Sequence, residues 1–507
     1  MKLLIQNMLA DECNKLANRH FEYLFQLHDG VNRTSKRLGV KINKTIHLPK
    51  YWSLHPAFNP YKTRTPKMLE CYSEVLDRRL KKRTYKPRAA VIHHVEKEDG
   101  TKRELNIYQL PDAAISRLVY KSLLHKNLNR FSAYAYAYRE DRGAHDAVQV
   151  IYSEWKTVDR VYVAEFDFAK FFDNIGHDYL WRVLDRHRFI YSLAERCVLE
   201  RFLESETASH ANYHTGPFNK RKRGIPQGTS VSLFLANLAC WELDRALERL
   251  GVGFARYADD TVIWSDSYTK VVQAYDVIKI HSELMEVPIN LDKSHGVSLV
   301  TRQPKGEIVW KPAIDFVGYR VGPSSIAIKD SRVKKTKAKL SHIAYQNLIQ
   351  PLKHGTFNTL RLNEVDMDYI VTLSQIRRYL YGGLGDEKLR LYIRGQIPKI
   401  NFVGLMSYFP LVNDQAQLAL LDGWLIYILK QCLKKREGMW KSVKGMTLPG
   451  PKPDWIQDLT HLKSWTAPSG AEYDLRIPSF SLISKALHIA MNKSGISAAT
   501  HPEAGYY

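Results

Sequence analysis

Two adjacent aspartates, Asp259 and Asp260, stand inside the run RYADDTVIW (256–264). Val262, Ile263 and Trp264 behind them suit a buried strand. An ionised carboxylate against such a core is costly unless it is paired or bound to a cation. Successive side chains of a strand point to opposite faces, so both carboxylates reach one place only if the chain turns tightly there. A third carboxylate, Asp167, ends the β-rich run VYVAEFDF (161–168) and is followed by Phe171 and Phe172. Carboxylates from two separate strands are what a two-metal phosphoryl-transfer centre requires, its cations lying about 4 Å apart. Mg²⁺ suits that role, because it takes a few carboxylate oxygens and fills its shell with substrate phosphates. An Asp-Asp pair by itself says little, since most are solvated turns, and the surroundings must carry the rest.

The elements that would position these groups can be read from pattern. Residues 253–265 predict two short strands about a turn at Ala258-Asp259. Between the two acidic elements lies RGIPQGTSVSLFLANLACWEL (223–243). Gly224 and Gly228 there allow close backbone approach to a ligand, and Gln227 can hydrogen-bond a nucleotide. A helix is expected over 229–250, with Thr229 or Ser230 as N-cap and its N-terminus offered to phosphate or template. Upstream, AAVIHHVEK and TKRELNIY alternate about Glu98-Asp99-Gly100, which predicts a hairpin over 89–108. Residues 1–85 read as helix interrupted by the breaker-rich stretch His55–Pro60. Residues 270–286 are helical, 314–329 form a further hairpin, and 333–437 are largely helical. A proline-rich irregular stretch (448–480), a helix near 481–493 and a loose tail close the chain.

Charge supplies the partner class. The 507 residues carry a net charge of +23, with 45% hydrophobic and 11% aromatic residues. The excess is clustered in Arg78–Arg83, Lys220–Arg223, Lys334–Lys339 and Lys434–Arg436. Clustered basic residues imply a polyanionic partner, most simply nucleic acid. The five cysteines are far apart, with no C-x-x-C pair, which excludes a disulfide scaffold and a zinc framework. No stretch reaches the roughly 18 apolar residues of a membrane span. The opening MKLLIQNMLADEC is too short and too acidic for a secretory signal, so a cytoplasmic bacterial protein with no membrane partner is expected.

The order of EFDFAKFFDNI, GIPQGTSVSLFLAN, YADD, LDKSHG (291–296) and DFVGYRV (315–321) resembles the palm of reverse transcriptases. KEDGTKRELNIY (97–108) and FSAYAYAYREDRGAHDAV (131–148) resemble that family's fingers motifs, so the likeness covers residues 90–325. Several motifs in one order make an accidental match implausible. The resemblance implies an α+β fold with right-hand polymerase fingers and a ferredoxin-like palm sheet. Its expected divisions are an N-terminal helical extension (1–88), fingers (89–160), palm (161–330) and a helical thumb-like C-terminal domain (331–507).

The resemblance also implies residue roles. Asp167, Asp259 and Asp260 would hold two Mg²⁺ ions, or Mn²⁺ in their place, with the Phe168 carbonyl as a further ligand. Lys102 and Arg103 would contact the triphosphate of a dNTP, and Gln227 would line the nucleotide pocket. Phe172, five residues after Asp167, occupies the position of the gate against a ribose 2′-hydroxyl; the alternative is an ordinary core aromatic. Lys293 would protonate the leaving pyrophosphate as general acid, or is a solvated lysine. Arg139 would support fingers or template, and Phe316, Gly318 and Tyr319 would grip the primer. Asp173 and Asp178 read as caps or surface charges.

Within the family, 223–265 is most similar to the bacterial defence-associated enzymes, the unknown-group and abortive-infection lineage, nearest to its types 2 and 9. That lineage implies antiphage defence, a noncoding RNA template, a cDNA product, homo-oligomerisation and, in some members, priming from a protein hydroxyl. Tyr506 and Tyr507, in a mobile tail, are the candidate protein primers, against a merely frayed terminus. Two other expectations compete: a group II intron or retron-like mobile-element enzyme, and a non-catalytic RNA-binding scaffold. Thr229-Ser230-Val231-Ser232 after PQG departs from the glycine and Ser-Pro pair usual in intron enzymes.

Overall fold

The computed structural model describes residues 1–96, 100–294, 296–303, 309–355, 358–362, 366–444, 464–466, 469–470 and 472–501. The chain divides into two compact units. One holds residues 1–26, 45–147 and 159–311; the other holds 27–44, 148–158 and 312–507.

Among the described residues the first unit contains nine strands: β1 (Ala90–Glu96), β2 (Lys102–Ile107), β3 (Arg160–Phe166), β4 (Glu206–Ala208), β5 (Asn219–Lys220), β6 (Gly253–Tyr257), β7 (Asp260–Ser265), β8 (Val297–Thr301) and β9 (Trp310–Lys311). β1 and β2 form the expected hairpin, in register from Val91 opposite Ile107 to Glu96 opposite Lys102. The central sheet runs β6-β7-β3-β8-β9. β3 pairs antiparallel with both β7 and β8. Flanked on both edges and packed on both faces, it reads as an apolar run more than as a strict alternation. Register sets Ala164, Ile263 and Phe254 in one row across β3, β7 and β6. The helix Tyr268–Met285 lays Val271, Ala274, Ile278 and Met285 on that same core. Their spacing is that of one helical stripe, and each large apolar side chain so buried contributes about 1.5–3 kcal/mol.

The single helix expected over 229–250 is two, Val231–Ala239 and Trp241–Leu250, broken at Cys240. The first is buried on nearly every side, whereas the second buries only Leu243, Asp244 and Leu247. The bend lets the chain leave the interior once its apolar stretch ends. Ser230 holds the N-cap position of the first helix, but its side chain makes no capping hydrogen bond. The Val231 amide donates instead to Ser116 Oγ (3.0 Å), and the Thr229 hydroxyl pairs with that of Ser232 (2.9 Å).

In the second unit, 314–329 is a three-stranded meander and not a hairpin: β10 (Ile314–Phe316), β11 (Tyr319–Val321) and β12 (Ile326–Ile328). The helical region is real but interrupted. Helices Asp330–Ala344, Met367–Tyr381, Asp386–Ile393 and Gln415–Lys444 surround a stretch, 394–414, whose only helical piece is the short turn Leu405–Tyr408. A buried guanidinium ties these helices together: Arg436 reaches Asp366 (2.6 Å), Asp368 (3.0 Å) and the Leu348 carbonyl (2.8 Å). Phe480–Ser494 is the expected late helix. Tyr506 and Tyr507 lie outside the described residues. No described helix is long and apolar enough to cross a membrane.

Candidate active site

The tight turn that the aspartate pair demands is present. Tyr257 pairs with Asp260, so β6 and β7 are joined by Ala258 and Asp259 alone. A two-residue hairpin loop needs a left-handed residue, and Ala258 supplies it at φ 61°. Outside glycine that conformation costs about 1–3 kcal/mol and persists only where neighbours impose it. The imposing neighbour is Arg256, whose Nη1 donates to the Ala258 carbonyl at 3.0 Å. Arg256 is fully buried; Nε and Nη2 grip the Asp244 carboxylate at 2.7 and 2.6 Å, and Nη1 also reaches Asn237 Oδ1 at 3.3 Å. Burial alone would push the Asp244 carboxyl up and the guanidinium down. Each partner is the other's countercharge, and Asp244 holds Arg256 above its ordinary range. The backbone of Arg256 is pinned as well, since Tyr136 N donates to its carbonyl and its own N–H donates to Tyr134 O, each at 2.9 Å. Sequence reasoning missed this arginine. Its signal was a lone charge in the otherwise uncharged run GFARYA (253–258), where an unpaired charge would be prohibitive.

Asp167 follows β3 directly. Phe166 pairs with Thr261, and one further step of the same register sets Asp167 beside Asp260. The segment Pro288–Ser294 wraps Asp167 from the other side. Asn290 N donates to the Asp167 carbonyl (2.8 Å), Asn290 Nδ2 to its carboxylate (3.2 Å), and Asp167 N to Ser294 Oγ (3.3 Å). Lys293 Nζ closes the ring on Asp167 Oδ2 at 2.7 Å. That hydrogen bond, helped by the charges of Asp167, Asp259 and Asp260, holds the Lys293 ammonium above its usual range. Burial and the neighbouring Asp167 push the Asp259 carboxyl up. Three acidic groups thus bear on one cation. Among the described residues no three His, Cys, Asp or Glu side chains are grouped so as to hold a metal ion as they stand, and the Lys293 ammonium is a positive charge on which all three aspartates act. Mutual repulsion relieved by a cation, with oxygen-only donors, is the pattern that fits Mg²⁺. Phe168 buries its ring against Phe171 (5.7 Å), and the Asn290–Asp167 and Ala169–Pro288 hydrogen bonds fix the main chain on either side of it.

The PQG segment acts as a clasp on the protein's own backbone. A Cβ on Gly224 (φ 75°) would lie 2.5 Å from the Asp173 carbonyl oxygen and 2.7 Å from that of Phe172. One on Gly228 would lie 2.5 Å from the Asn106 carbonyl oxygen. The close approach expected toward a ligand is therefore made toward the turn after Asp167 and toward β2. Gln227 joins the same parts: its carbonyl accepts from Asn106 N (2.7 Å), its Nε2 donates to Asp173 (2.9 Å), and its Oε1 accepts from Arg103 Nε (2.6 Å). Both ends of the amide are engaged, so a nucleotide that used it would displace Arg103 or Asp173. Gly224→Ala is expected to destabilise the unit by about 2–4 kcal/mol, through left-handed strain plus overlap. A urea titration followed by tryptophan fluorescence measures it, and an unchanged midpoint would show that the turn after Asp167 yields freely.

Phe172 is the second residue of the short helix Phe171–Asn174 and is half-buried against the main core, edge-on to Phe171 (5.9 Å) and Tyr138 (6.5 Å). Asp178 lies in the first turn of the helix His177–Arg186, where a negative charge suits the dipole. Lys102 is exposed at the start of β2. Arg139 is buried and saturated: it grips Asp141 at 2.9 and 2.8 Å and donates to the Ser132 carbonyl at 2.7 Å, which organises residues 131–142. In the second unit, Val317 and Gly318 make a two-residue turn with both φ values positive, 41° and 87°. Phe316 and Tyr319 are buried there, the Tyr319 hydroxyl donating to the Tyr408 carbonyl at 3.2 Å. Within the DFVGYRV motif, Phe316, Tyr319 and Val321 are buried, while Asp315, the turn 317–318 and Arg320 are accessible.

Residues 95–321 match the family model described as reverse transcriptase (RNA-dependent DNA polymerase). The chain is similar to Protein YkfC of Escherichia coli (strain K12), at 25% identity over 187 residues, 36% of this chain and 47% of that protein. It is also similar to the group II intron-encoded protein LtrA of Lactococcus lactis subsp. cremoris, at 26% identity over 221 residues, 43% of this chain and 33% of that protein. The chain thus spans about half, or less, of the length of the curated relatives it matches. Similar solved structures include telomerase from Candida albicans in complex with the TWJ fragment of telomeric RNA, with 13% identity, a TM-score of 0.39, and coverage of 78% of this chain and 69% of that one. Apo telomerase from Candida Tropicalis, truncated of its C-terminal domain, gives 12% identity, a TM-score of 0.37, and coverage of 52% and 60%.

Proposed function

We propose, from the premise that residues 95–321 are a reverse transcriptase domain, that the chain is an RNA-directed DNA polymerase acting at Asp167, Asp259 and Asp260. The observation that carries this is the convergence of β3 and the β6–β7 turn, which sets Asp167 beside Asp260, with Lys293 paired to Asp167. These three carboxylates would hold two Mg²⁺ ions, or Mn²⁺, which when bound activate the primer 3′-hydroxyl and offset triphosphate charge. Arg103 and Lys102 bind the triphosphate from β2, Arg103 leaving Gln227 to do so. Phe172 stands against the sugar and refuses a ribose 2′-hydroxyl. Lys293 Nζ, kept protonated by Asp167, delivers its proton to the departing pyrophosphate. The turn 317–318 supports the primer strand.

The biological setting that best accounts for the sequence after PQG is antiphage defence. There the chain copies a partner noncoding RNA into cDNA as a homo-oligomer, with Tyr506 or Tyr507 as primer hydroxyl. The 26% identity to LtrA over 221 residues favours a second setting, a mobile-element enzyme. One experiment separates them. The purified chain is given dNTPs and Mg²⁺, and both the co-purifying RNA and any DNA made are sequenced. A single small RNA copied into DNA is the expected result, with a phosphotyrosyl peptide on the DNA 5′ end after protease treatment. Intron RNA bound in its place moves the chain to the second setting. No DNA on any RNA template would sink the polymerase reading.

A further inference from the structure

Tyr138 is held more rigidly than an aromatic at a pocket edge needs to be for packing alone. It is a non-glycine residue at φ 60°, in the left-handed region. Such strain persists only where the surroundings over-determine the backbone. Here they do: the Ala137 carbonyl accepts from Asn237 Nδ2 (2.8 Å), the Tyr138 carbonyl accepts from the Tyr120 hydroxyl (2.9 Å), and Arg139 is locked onto Ser132 and Asp141. The ring that this backbone presents meets Phe172 edge-to-face, 6.5 Å between centroids and 88° between planes. Phe171 closes the other side of Phe172 at 5.9 Å. Burial, helped by the charges of Asp259 and Tyr257 and opposed by those of Arg103 and Arg256, pushes the Tyr138 phenol up. Tyr138 therefore touches Phe172 and lies within electrostatic reach of Asp259 and Arg103.

A steric gate is only as strict as its wall is stiff. A 2′-hydroxyl that presses on an aromatic ring is refused by no more than the energy needed to move that ring. Residues that stop Phe172 from yielding therefore set the discrimination. We propose that Tyr138 is a specificity-determining residue of the nucleotide pocket, whose ring backs Phe172 and sets how strictly a ribose 2′-hydroxyl is excluded. The proposal rests on the polymerase reading and on Phe172 facing the sugar.

The test is single-nucleotide insertion by the full chain on an RNA template and DNA primer, with kcat/KM measured for a dNTP and for the matching rNTP. Tyr138→Leu and Tyr138→Ala are expected to lower the deoxy-over-ribo ratio about three- to tenfold, the value of one edge-to-face aromatic pair. The change should come from faster rNTP insertion, which a merely unfolded or misplaced site would not give. Tyr138→Phe keeps the ring and should restore the wild-type ratio. Tyr120→Phe, which frees the Tyr138 carbonyl from outside the pocket, should shift the ratio the same way by a smaller factor, and it decides the matter if the Tyr138 variants do not fold. An unchanged ratio in folded Tyr138→Leu, while Phe172→Ala lowers it, overturns the role of Tyr138 and leaves the gate standing. An unchanged ratio in Phe172→Ala overturns gate and backing together, with polymerase activity intact. No insertion by the wild-type chain overturns the polymerase reading itself.

Discussion

Replacing Asp259 by asparagine is expected to reduce nucleotide insertion by about 10³-fold or more, while the chain in EDTA melts no lower than the wild type. The two halves have different causes. Cation-held transition-state charge is worth several kcal/mol, and each 1.36 kcal/mol is a factor of about ten in rate. Asparagine keeps the size of the side chain and removes the ligand charge. Stability moves the other way because burial and Asp167 already disfavour an ionised Asp259. Removing its charge relieves that repulsion and leaves Lys293 on Asp167 undisturbed. Mg²⁺ then supplies the control. An ion that binds only the folded wild-type site raises its melting temperature by mass action, and the Asn variant should gain much less. A variant that loses activity but keeps the full Mg²⁺ shift would show that the ions bind elsewhere. Full insertion activity in the variant would show that the reaction does not need Asp259, and biological function without insertion would favour a scaffold over an enzyme.

What could be read from the sequence was local. The strand before Asp167, the β6–β7 turn and the β1–β2 hairpin follow from alternation and turn chemistry within a dozen residues, and all three are where the pattern places them. The break at Cys240 was not legible, because propensity favours helix through 229–250 and only the end of the buried environment stops it. Gly224 and Gly228 were legible as close approaches, but not what they approach; the carbonyls of Asp173 and Asn106 are distant in sequence. The same holds for Gln227, whose partners Arg103 and Asp173 lie 124 and 54 residues earlier in the chain. The resemblance made Phe316, Gly318 and Tyr319 a primer grip, but a short local motif does not show that Phe316 and Tyr319 are buried, Tyr319 against Phe409 and on the Tyr408 carbonyl. Asn290 could have been noticed, one helical turn before Lys293, but nothing local says that both return to Asp167.

Arg256 is where fold and chemistry are most tightly joined, and a two-residue cycle separates them. Arg256→Met leaves the Asp244 carboxylate buried without its countercharge, which should cost about 3–5 kcal/mol. It also frees the Ala258 carbonyl, the contact that imposes a left-handed residue on the turn carrying Asp259. Asp244→Leu alone strands the guanidinium and should cost a similar amount. The double variant Arg256→Met/Asp244→Leu removes both charges, and an apolar replacement of a buried pair is often close to neutral. Urea denaturation should therefore show most of the lost stability returning in the double variant. Insertion rate should not return with it, because methionine cannot donate to Ala258 and the turn is no longer held. If activity recovers in step with stability, Arg256 serves the fold alone. If stability recovers and the rate stays about tenfold or more below wild type, the loss corresponds to roughly 1.4 kcal/mol of positioning. Arg256 is then a positioning residue, acting on the reaction through the Asp259 turn without touching the substrate.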